Sequence, residues 1–378
     1  DGIAALLSRA TAGAMTRALL YAPMNPPSPG SPPSGDRAMS GLLGRALARL
    51  GYAPEAASAL RAYEGAGDAA QQKSIAESAL GEAERLIALH RNAPPALWLT
   101  YLNYYKSPDY LGPTVTAALK IPYVIVEASY AAKRAAGDFA APHAAAKKAL
   151  QAAHAVVAMT AHDAAGLAEI VAPERLHRLD PFIDAAAFPP RPASVPARSP
   201  VILTAAMLRP GKKLANFPLI AAALARIADL PWIYLVAGDG PGRAEAEAAF
   251  RGFPPGRVDF AGRFPPEAMS RLYRRADIYL WPGLREAYGL SYLESQASGV
   301  PVVACDTHGV PAVVQQGRGG LLTPAGDPDG LARSLRILLS NQQTRAIMGE
   351  VAAEFVHGER DLPQAAARLG DILHRAGA

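Results

Sequence analysis

The chain has 378 residues, of which 50% are hydrophobic and 19% are charged, so its length predicts two globular domains. The net charge is +5 and the basic residues form only small clusters, which disfavours nucleic-acid binding. The single cysteine, Cys305, excludes an intramolecular disulfide and a multi-cysteine metal site, and it favours a reducing cytoplasm. No apolar run approaches the roughly 18 residues of a membrane span. Any membrane association is therefore expected to be weak and peripheral, at the inner face.

The first half alternates short apolar runs with alanine-rich helical stretches, a pattern typical of parallel sheets flanked by helices. Residues 1–14 are treated as a leader or added segment outside the fold, because Met15 begins a sequence, MTRALLYAP, that is typical of a first strand. Helical patterns cover Gly35–Leu50 and Asp138–Ala153. The predicted strands of this half are Ala18–Ala22, Leu97–Tyr101, Pro122–Val126, Ala155–Met159 and Arg175–Leu179.

A proline-rich segment, Phe188–Pro200, separates the halves. Its five prolines in 13 residues exclude a helix or a central strand, so we expect a linker between a domain at 15–187 and a domain at 201–360. Two such doubly wound, Rossmann-like α/β domains would face one cleft, with ligands at the carboxyl ends of the strands. The predicted strands of the second half are Val201–Ala206, Trp232–Ala237, Val258–Phe260, Ile278–Trp281, Pro301–Ala304 and Gly320–Leu322.

Several common catalytic motifs are absent from the sequence. It contains no GxGxxG after the first strand, no GxxxxGK[ST], no HExxH and no GxSxG, which disfavours a dinucleotide site, a P-loop, a zincin and an α/β-hydrolase. The Asp327-Pro328-Asp329 sequence resembles an acidic metal site. We expect instead that Asp327 caps a helix whose first residue is Pro328.

The segment Gly283–Glu294, GLREAYGLSYLE, carries the strongest functional signal. It follows an apolar strand and begins a helix on which Glu294 shares a face with Leu290, Leu293 and Ala297. A carboxylate on a buried face needs polar partners, and two adjacent hydroxyls of a sugar would supply them. Glu286 lies in the loop just before this helix. An alternative stays open, in which Glu286 is a surface acid and Glu294 is solvated on a helix of different register.

The residues between the two glutamates are Ala287, Tyr288, Gly289 and Leu290. At a helix N-terminus their backbone N–H groups can point outward, and a glycine allows a close approach. Such an N-terminus favours an anion, typically a phosphate. The segment therefore combines phosphate contacts with two carboxylates for hydroxyl groups.

The run E-A-Y-G-L-S-Y-L-E resembles the E-x7-E motif of the GT4-type glycosyltransferases (glycosyl transferases group 1), retaining enzymes of the two-domain GT-B fold. Three further stretches of the second half are similar to that family, and shorter N-domain stretches match more weakly. The resemblance runs from about Met15 to the C-terminus. The second-half stretches are VAGDGPGRAEAE, VDFAGRFPPEAMSRLYRRADIYLWP and ASGVPVVACDTHGVPAVVQQGRGGLLTPAGDPDGLARSL; those of the first half are PPSGDR, VVAMTAHDAAGL and PFIDAAAF.

The resemblance implies a role for each matched residue. Glu286 would bind hydroxyls of the donor sugar, and Glu294 would hold the ribose of the nucleotide. The backbone around Tyr288–Leu290 would meet the diphosphate, together with Arg209 and Lys213. Developing negative charge on a leaving diphosphate needs such cations. The alternatives are Lys212 in place of Lys213, or a solvated basic turn.

Further donor-side residues follow from the same matched stretches. They are Gly238, Arg263 and Gly35, the last in a glycine-containing loop that in the family faces the donor. Glycine permits close backbone approach, although Asp36 beside Gly35 could simply cap the next helix.

The sequence departs from the family after the third strand of the first half. Many members carry a histidine there, whereas this chain has Glu127, which we retain as a catalytic candidate. Lys133 and Arg134 follow closely. They would either meet an acidic or phosphate-bearing acceptor or belong to a solvated loop.

The sequence therefore predicts a bacterial, cytoplasmic, retaining glycosyltransferase that transfers a sugar from a UDP- or GDP-sugar to an unidentified acceptor. Its products would be cell-surface glycans, glycolipids or small glycosides. No metal or other cofactor is expected beyond the nucleotide sugar as co-substrate. The alternatives are a GT-B epimerase or phosphorylase and a non-catalytic sugar-nucleotide-binding protein. In segment 361–378, Leu362, Ala366, Leu369 and Leu373 lie at helical spacing, and the resemblance implies that this helix returns to the first domain.

Overall fold

The computed structural model describes residues 15–27, 34–192, 199–211 and 213–378. By their contacts these residues divide into two compact units. The predicted linker at 188–200 and the predicted domain limits stay predictions, and residues 193–198 lie outside the described part. The first unit contains the described residues up to Met159 with Asp163–Leu179 and Ala366–Ala378; the second contains Thr160–His162 and Asp180–Ala365.

The strands of the first unit are β1 (Thr16–Tyr21), β2 (Tyr52–Ala56), β3 (Leu97–Asn103), β4 (Tyr123–Ala128), β5 (Ala155–Ala158) and β6 (Leu176–Arg178). They form one parallel sheet in the order β2-β1-β3-β4-β5-β6. Parallel strands are covered by helices on both faces and are apolar throughout. In β4 this makes residues 123–126 fully buried.

Strand β2 is the element that the sequence pattern did not predict. Its sequence, YAPEA, contains Pro54 and Glu55, which are both uncommon in a central strand. The strand lies at the edge of the sheet and pairs only with β1 among the described strands. An edge position tolerates a residue without an N–H group, which explains why the pattern was misleading.

The remaining helices and strands of the first half follow the alternating pattern. The helix predicted at Gly35–Leu50 is observed at Gly35–Arg49, and the helix predicted at Asp138–Ala153 is observed at Ala140–Ala152. A buried core with Tyr21, Trp98 and Tyr123 packs on the sheet. The helices are α1 (Gly35–Arg49), α2 (Ala69–His90), α3 (Gly112–Leu119), α4 (Ala140–Ala152) and α5 (Ala161–Leu167).

The strands of the second unit are β7 (Val201–Ala205), β8 (Ile233–Ala237), β9 (Val258–Gly262), β10 (Ile278–Leu280), β11 (Val302–Asp306) and β12 (Gly320–Pro324). They form a second parallel sheet in the order β12-β11-β10-β7-β8-β9. Each of these strands overlaps a predicted one. The two sheets with their flanking helices confirm the predicted α/β fold class.

The helices that follow are α6 (Asn216–Ala225), α7 (Arg243–Ala248), α8 (Pro266–Arg275), α9 (Leu290–Ala297), α10 (Pro328–Ser340), α11 (Gln342–Glu359) and α12 (Leu362–Arg375). The predicted cap of α10 is confirmed: an oxygen of Asp327 accepts a hydrogen bond of 2.9 Å from the Gly330 N–H, and Pro328 begins the helix. In α12 the predicted apolar stripe is buried at Leu362, Ala366, Leu369 and Leu373. Across the described residues, no helix combines the length and hydropathy needed to cross a bilayer.

Candidate functional site

The loops after β7 and β10 are brought together by the strand order of the second sheet. The chain starts at β7, continues outward through β8 and β9, and then returns to β10 on the other side of β7. The boundary between β7 and β10 is therefore the topological switch point of this sheet. In open α/β sheets, ligands bind outside the carboxyl ends of the strands at this point.

Glu286 and Lys213 form an ion pair at the switch point. The Lys213 Nζ lies 3.4 Å from Oε1 and 3.4 Å from Oε2 of Glu286. The indole N–H of Trp281 donates to Oε2 at 3.3 Å. The side chains of Glu286 and Lys213 are 17% and 41% exposed, so a ligand can reach both. The two residues that the sequence assigned to sugar and diphosphate are neighbours.

A buried asparagine that sequence reasoning missed joins the same two loops. Asn216 is fully buried at the first position of α6. Its amide group donates to the Lys213 carbonyl at 3.0 Å, and its oxygen accepts from the Leu284 N–H at 3.0 Å. A polar residue among apolar neighbours is the sequence signal for Asn216, although this signal does not indicate its partners. Asn216 fixes the loop of Lys213 against the loop of Glu286.

The backbone before α9 enters the left-handed region on both sides of Glu286, and it is strained at Arg285. Arg285 has a φ of 62° and Gly289 has a φ of 82°, both in the left-handed region that L side chains rarely adopt. A Cβ at Gly289 would lie 3.1 Å from the Glu286 Cγ and 2.8 Å from the Tyr292 ring. The turn therefore requires glycine there. Strained backbone of this kind is common at functional sites.

The helix face predicted for α9 is confirmed, since Leu290, Leu293 and Ala297 are buried. Glu294 lies between them, partly buried, and Oε2 accepts a hydrogen bond of 2.8 Å from the Tyr273 hydroxyl. Burial raises the pKa of the Glu294 carboxyl above its ordinary value, although the Tyr273 hydrogen bond acts in the opposite direction. Within the described part of the chain, Oε1 has no such partner, so it is open to a hydroxyl of a ligand. Tyr273 is a second residue that the sequence did not reveal.

Between the two glutamates, the turn of residues 287–290 offers backbone groups rather than polar side chains to a ligand. Tyr288 and Leu290 are buried, whereas Ala287 is exposed. Gly289 caps α9 without a side chain. Since the first N–H groups of a helix have no intrahelical acceptor, this turn offers donors and the positive end of the helix dipole to an anion.

The other assigned residues of the second unit lie on neighbouring loops. Arg209 and Arg263 are exposed. Gly238 follows β8, and a Cβ there would collide with the Ala206 carbonyl oxygen. The close packing of the loops after β7 and β8 therefore already requires this glycine. Lys212, the alternative to Lys213, lies outside the described residues.

Gly35 and Glu127 belong to the first unit. Gly35 begins α1, and an added Cβ would meet no atom within 4 Å. The helix is capped by Ser34, whose hydroxyl accepts from the Arg37 N–H at 3.3 Å. The alternative that Asp36 is the cap is wrong, and Asp36 instead accepts from the Asn25 amide at 3.1 Å. Glu127 lies near the end of β4, half-buried, with a left-handed φ of 58°. No group of three or more His, Cys, Asp or Glu among the residues described could hold a metal ion.

Comparison with known proteins finds a family match for part of the second unit. Residues 199–341 match the family model of the glycosyl transferases group 1. The sulfoquinovosyl transferase SQD2 of Arabidopsis thaliana is 36% identical over 120 residues, 31% of this chain and 23% of that protein. The D-inositol 3-phosphate glycosyltransferase of Corynebacterium efficiens is 42% identical over 98 residues, 26% of this chain and 23% of that protein. The matches thus span about a quarter of each relative.

Solved structures extend the fold comparison to nearly the whole chain. Sucrose-phosphate synthase from Thermosynechococcus elongatus gives a TM-score of 0.73 at 19% identity, covering 95% of this chain and 98% of that one. Anabaena Alr3699/HepE, solved in complex with UDP-glucose, gives a TM-score of 0.68 at 17% identity, covering 94% and 99%. At this identity the likeness shows the fold, and it confirms the predicted GT-B architecture. Over residues 199–341 the family match confirms the resemblance to the glycosyl transferases group 1.

Proposed function

We propose that this chain, whose residues 199–341 form a glycosyl transferases group 1 domain within a GT-B fold, is a retaining glycosyltransferase. It transfers a sugar from a UDP- or GDP-sugar to an acceptor. The observation that carries the proposal is the Lys213–Glu286 pair at 3.4 Å, located at the switch point beside the N-terminus of α9. One cation, one carboxylate and one set of N–H donors at the switch point support a site for a sugar diphosphate.

The nucleotide half of the donor is assigned to Glu294. Its Oε1 accepts hydrogen bonds from the ribose hydroxyls, while Tyr273 holds Oε2 at 2.8 Å and so orients the carboxylate. A buried carboxylate is costly without partners. Burial raises the pKa of Glu294, which reflects that cost. Ribose hydroxyls would reduce it.

The diphosphate half is assigned to Lys213, Arg209 and the first N–H groups of α9. As the glycosidic bond breaks, its electron pair moves to the diphosphate oxygen, and the added negative charge is stabilised by fixed positive groups. Lys213 pairs with Glu286, so donor binding would exchange this carboxylate for a phosphate. Arg209 is exposed on the same loop as Lys213, the loop after β7.

The transferred sugar is assigned to Glu286. Once Lys213 turns to the diphosphate, both oxygens of Glu286 can accept hydrogen bonds from sugar hydroxyls. Trp281 keeps the carboxylate in place through its N–H at 3.3 Å. Contacts that strengthen as the sugar becomes positively charged raise turnover rather than ground-state binding. A carboxylate near a developing oxocarbenium ion is of this kind.

The relatives support the nucleotide-sugar assignment. Alr3699/HepE was solved with UDP-glucose, and the two relatives named above are a sulfoquinovosyl transferase and a D-inositol 3-phosphate glycosyltransferase. By analogy we propose a role in glycolipid, cell-surface glycan or small-glycoside synthesis. The cytoplasmic location, the bacterial source, the roles of Gly35, Gly238, Arg263 and Glu127, and the independence from metal are parts of the same proposal.

Turnover of a donor panel tests the proposal. The protein is mixed with UDP- and GDP-sugars of defined anomeric configuration and with a set of acceptors, and proton NMR follows both nucleotide and product. We expect acceptor-dependent release of a nucleoside diphosphate and a product with the donor's anomeric configuration. An inverted product would contradict retention. Conversion of the donor without transfer would favour an epimerase or phosphorylase, and binding without any reaction would favour a sugar-nucleotide-binding protein.

A further inference from the structure

The first unit carries a second concentration of ligand-type side chains, distinct from the residues assigned above. Three cations and four aromatic rings lie together on the loops that follow β2, β3 and β4. We call them the cation–aromatic cluster: Arg61, Lys106, Arg134, Tyr63, Tyr104, Tyr105 and Phe139.

The cluster occupies the ligand-binding end of the first sheet. The chain enters at β1, moves outward to β2 and returns to β3 on the other side of β1, so the switch point lies between β1 and β3. Met24, after β1, accepts a contact of 3.8 Å from the Tyr104 hydroxyl, after β3. The Met24 carbonyl also accepts from Arg61 at 3.1 Å. The cluster therefore lies where open α/β sheets bind ligands.

Each cation lies on an aromatic ring. The Arg61 guanidinium is 4.9 Å from the centre of the Tyr63 ring, and that of Arg134 is 4.7 Å from the centre of the Tyr105 ring. The Lys106 Nζ is 5.1 Å from the Phe139 ring centre. Ring faces attract cations but do not neutralise them. The arrangement orients the cations and keeps their charge.

No carboxylate within the described ranges forms an ion pair with Arg61, Lys106 or Arg134. Two nearby carboxylates, Glu64 and Asp36, are engaged with other groups. Glu64 accepts from the Gly67 N–H at 2.8 Å and from the Gln72 amide at 3.0 Å. Asp36 accepts from the Asn25 amide. Three half-exposed or exposed cations that form no ion pair with the described carboxylates raise the local concentration of anions.

A buried network holds the loops of the cluster in register. Glu64 is 5% exposed, and its N–H donates to the Lys106 carbonyl at 2.9 Å. The Lys106 Nζ donates back to the Gly65 carbonyl at 2.9 Å. The Gln72 amide bonds both Glu64 and the Asp138 carbonyl, at 3.0 and 2.9 Å. The cations are thus preorganised before a ligand arrives, which lowers the entropic cost of binding.

We propose that the cation–aromatic cluster binds a phosphate group on the acceptor, and that the acceptor is a phosphorylated sugar or polyol. The cations bind the phosphate, and the aromatic rings pack against the C–H groups of the ring that carries it. This inference rests on the proposed transferase function, because a transferase needs an acceptor. It also resolves the alternatives left open for Lys133 and Arg134 in favour of the acceptor: Arg134 lies on the Tyr105 ring, and exposed Lys133 adjoins it.

Direct binding, measured without turnover, tests the inference on the full chain. Calorimetry compares a hexose phosphate, the same hexose without phosphate, and inorganic phosphate. Vesicles of phosphatidylcholine with and without phosphatidylglycerol determine whether the phosphate belongs to a lipid head group. The variants are Arg134→Gln and Lys106→Gln, with Arg91→Gln and Lys148→Gln as controls. Both controls remove exposed cations of the same unit.

We expect the phosphate-bearing ligand to bind more tightly than its unphosphorylated counterpart. Arg134→Gln and Lys106→Gln should each weaken that binding about tenfold or more, as expected for a lost charged hydrogen bond, and the controls should leave it unchanged. Lys106→Gln also removes the bond to the Gly65 carbonyl, so the melting temperature of this variant is recorded. The contact given for the Arg134 side chain within the described ranges is the Tyr105 ring, so Arg134→Gln is the cleaner variant. UDP or GDP binding should stay the same in every variant, which separates this inference from the donor assignment.

Binding of phosphatidylglycerol vesicles alone, lost in the same variants, would identify a lipid-borne phosphate. The inference is overturned if the parent protein binds none of these phosphate ligands. It is also overturned if Arg134→Gln binds them as the parent does, or if the controls lose as much affinity as the cluster variants.

Discussion

Asn216 is the residue whose replacement tests most sharply how the donor site is assembled. Asn216→Ala removes two hydrogen bonds of 3.0 Å that connect the Lys213 carbonyl and the Leu284 N–H. Both bonds are local to the switch point. The change leaves a backbone donor without its acceptor in a buried position. We expect a loss of about 2–4 kcal/mol in the free energy of unfolding.

Asn216→Ala should also lower turnover, because it displaces the residues of the site without removing a group that contacts the donor. Without Asn216 the loops of Lys213 and Glu286 are no longer joined, and a displacement near 1 Å can cost about a hundredfold in rate. We therefore expect kcat/KM to fall between tenfold and a hundredfold. The assay is steady-state release of nucleoside diphosphate, together with urea unfolding of the same preparation.

Asn341→Ala is the matched control. Asn341 caps α11 through one bond of 2.9 Å to the Thr344 N–H on an exposed helix end, so its loss should cost about 1 kcal/mol and leave kcat/KM unchanged. If Asn216→Ala loses stability and yet keeps the turnover of the parent protein, Asn216 does not position the site.

Three further predictions concern the donor residues. Glu286→Ala should lower kcat by at least about a hundredfold with little effect on nucleotide affinity. Steady-state kinetics measures kcat and calorimetry measures the affinity. An equal loss in kcat and in nucleotide affinity would contradict the assignment of Glu286 to the sugar. Glu294→Ala should weaken nucleotide binding by about 1–3 kcal/mol. Because the pKa of Glu294 is raised, the nucleotide affinity of the parent protein should begin to fall at a pH above the pKa of an ordinary glutamate as the pH is lowered. The nucleotide affinity of Glu294→Gln should lack this pH dependence. Arg209→Ala and Lys213→Ala should weaken binding of the nucleoside diphosphate but not binding of the free nucleoside. An equal loss of affinity for both ligands would place these cations away from the phosphates.

Local patterns were sufficient to predict most of the fold. Short apolar runs placed the strands to within a few residues, because parallel strands covered on both faces need apolar residues throughout. The helix of Glu294 was placed correctly because its spacing joined a carboxylate to three apolar positions. Strand β2 escaped detection because an edge strand tolerates Pro54 and Glu55.

The site was predicted from one local motif and from the family resemblance, which also supplied Lys213, 73 residues from Glu286. Glu286 and Glu294 are eight residues apart in one segment, so their proximity could be inferred from it. Asn216 is 68 residues from its partner Leu284, and Tyr273 is 21 residues from Glu294. Neither partnership has a local signal. The residues of the cation–aromatic cluster lie on three separate loops, so the sequence did not predict the cluster for the same reason.

A crystal structure of the full chain with UDP or GDP tests the central claim most directly. The account predicts the ribose within hydrogen-bond distance of Glu294 and the diphosphate at the N-terminus of α9. It also predicts that the Lys213 ammonium leaves its position 3.4 Å from Glu286 to contact a phosphate oxygen. A nucleotide bound elsewhere, or a diphosphate that leaves the Lys213–Glu286 pair intact, would contradict it.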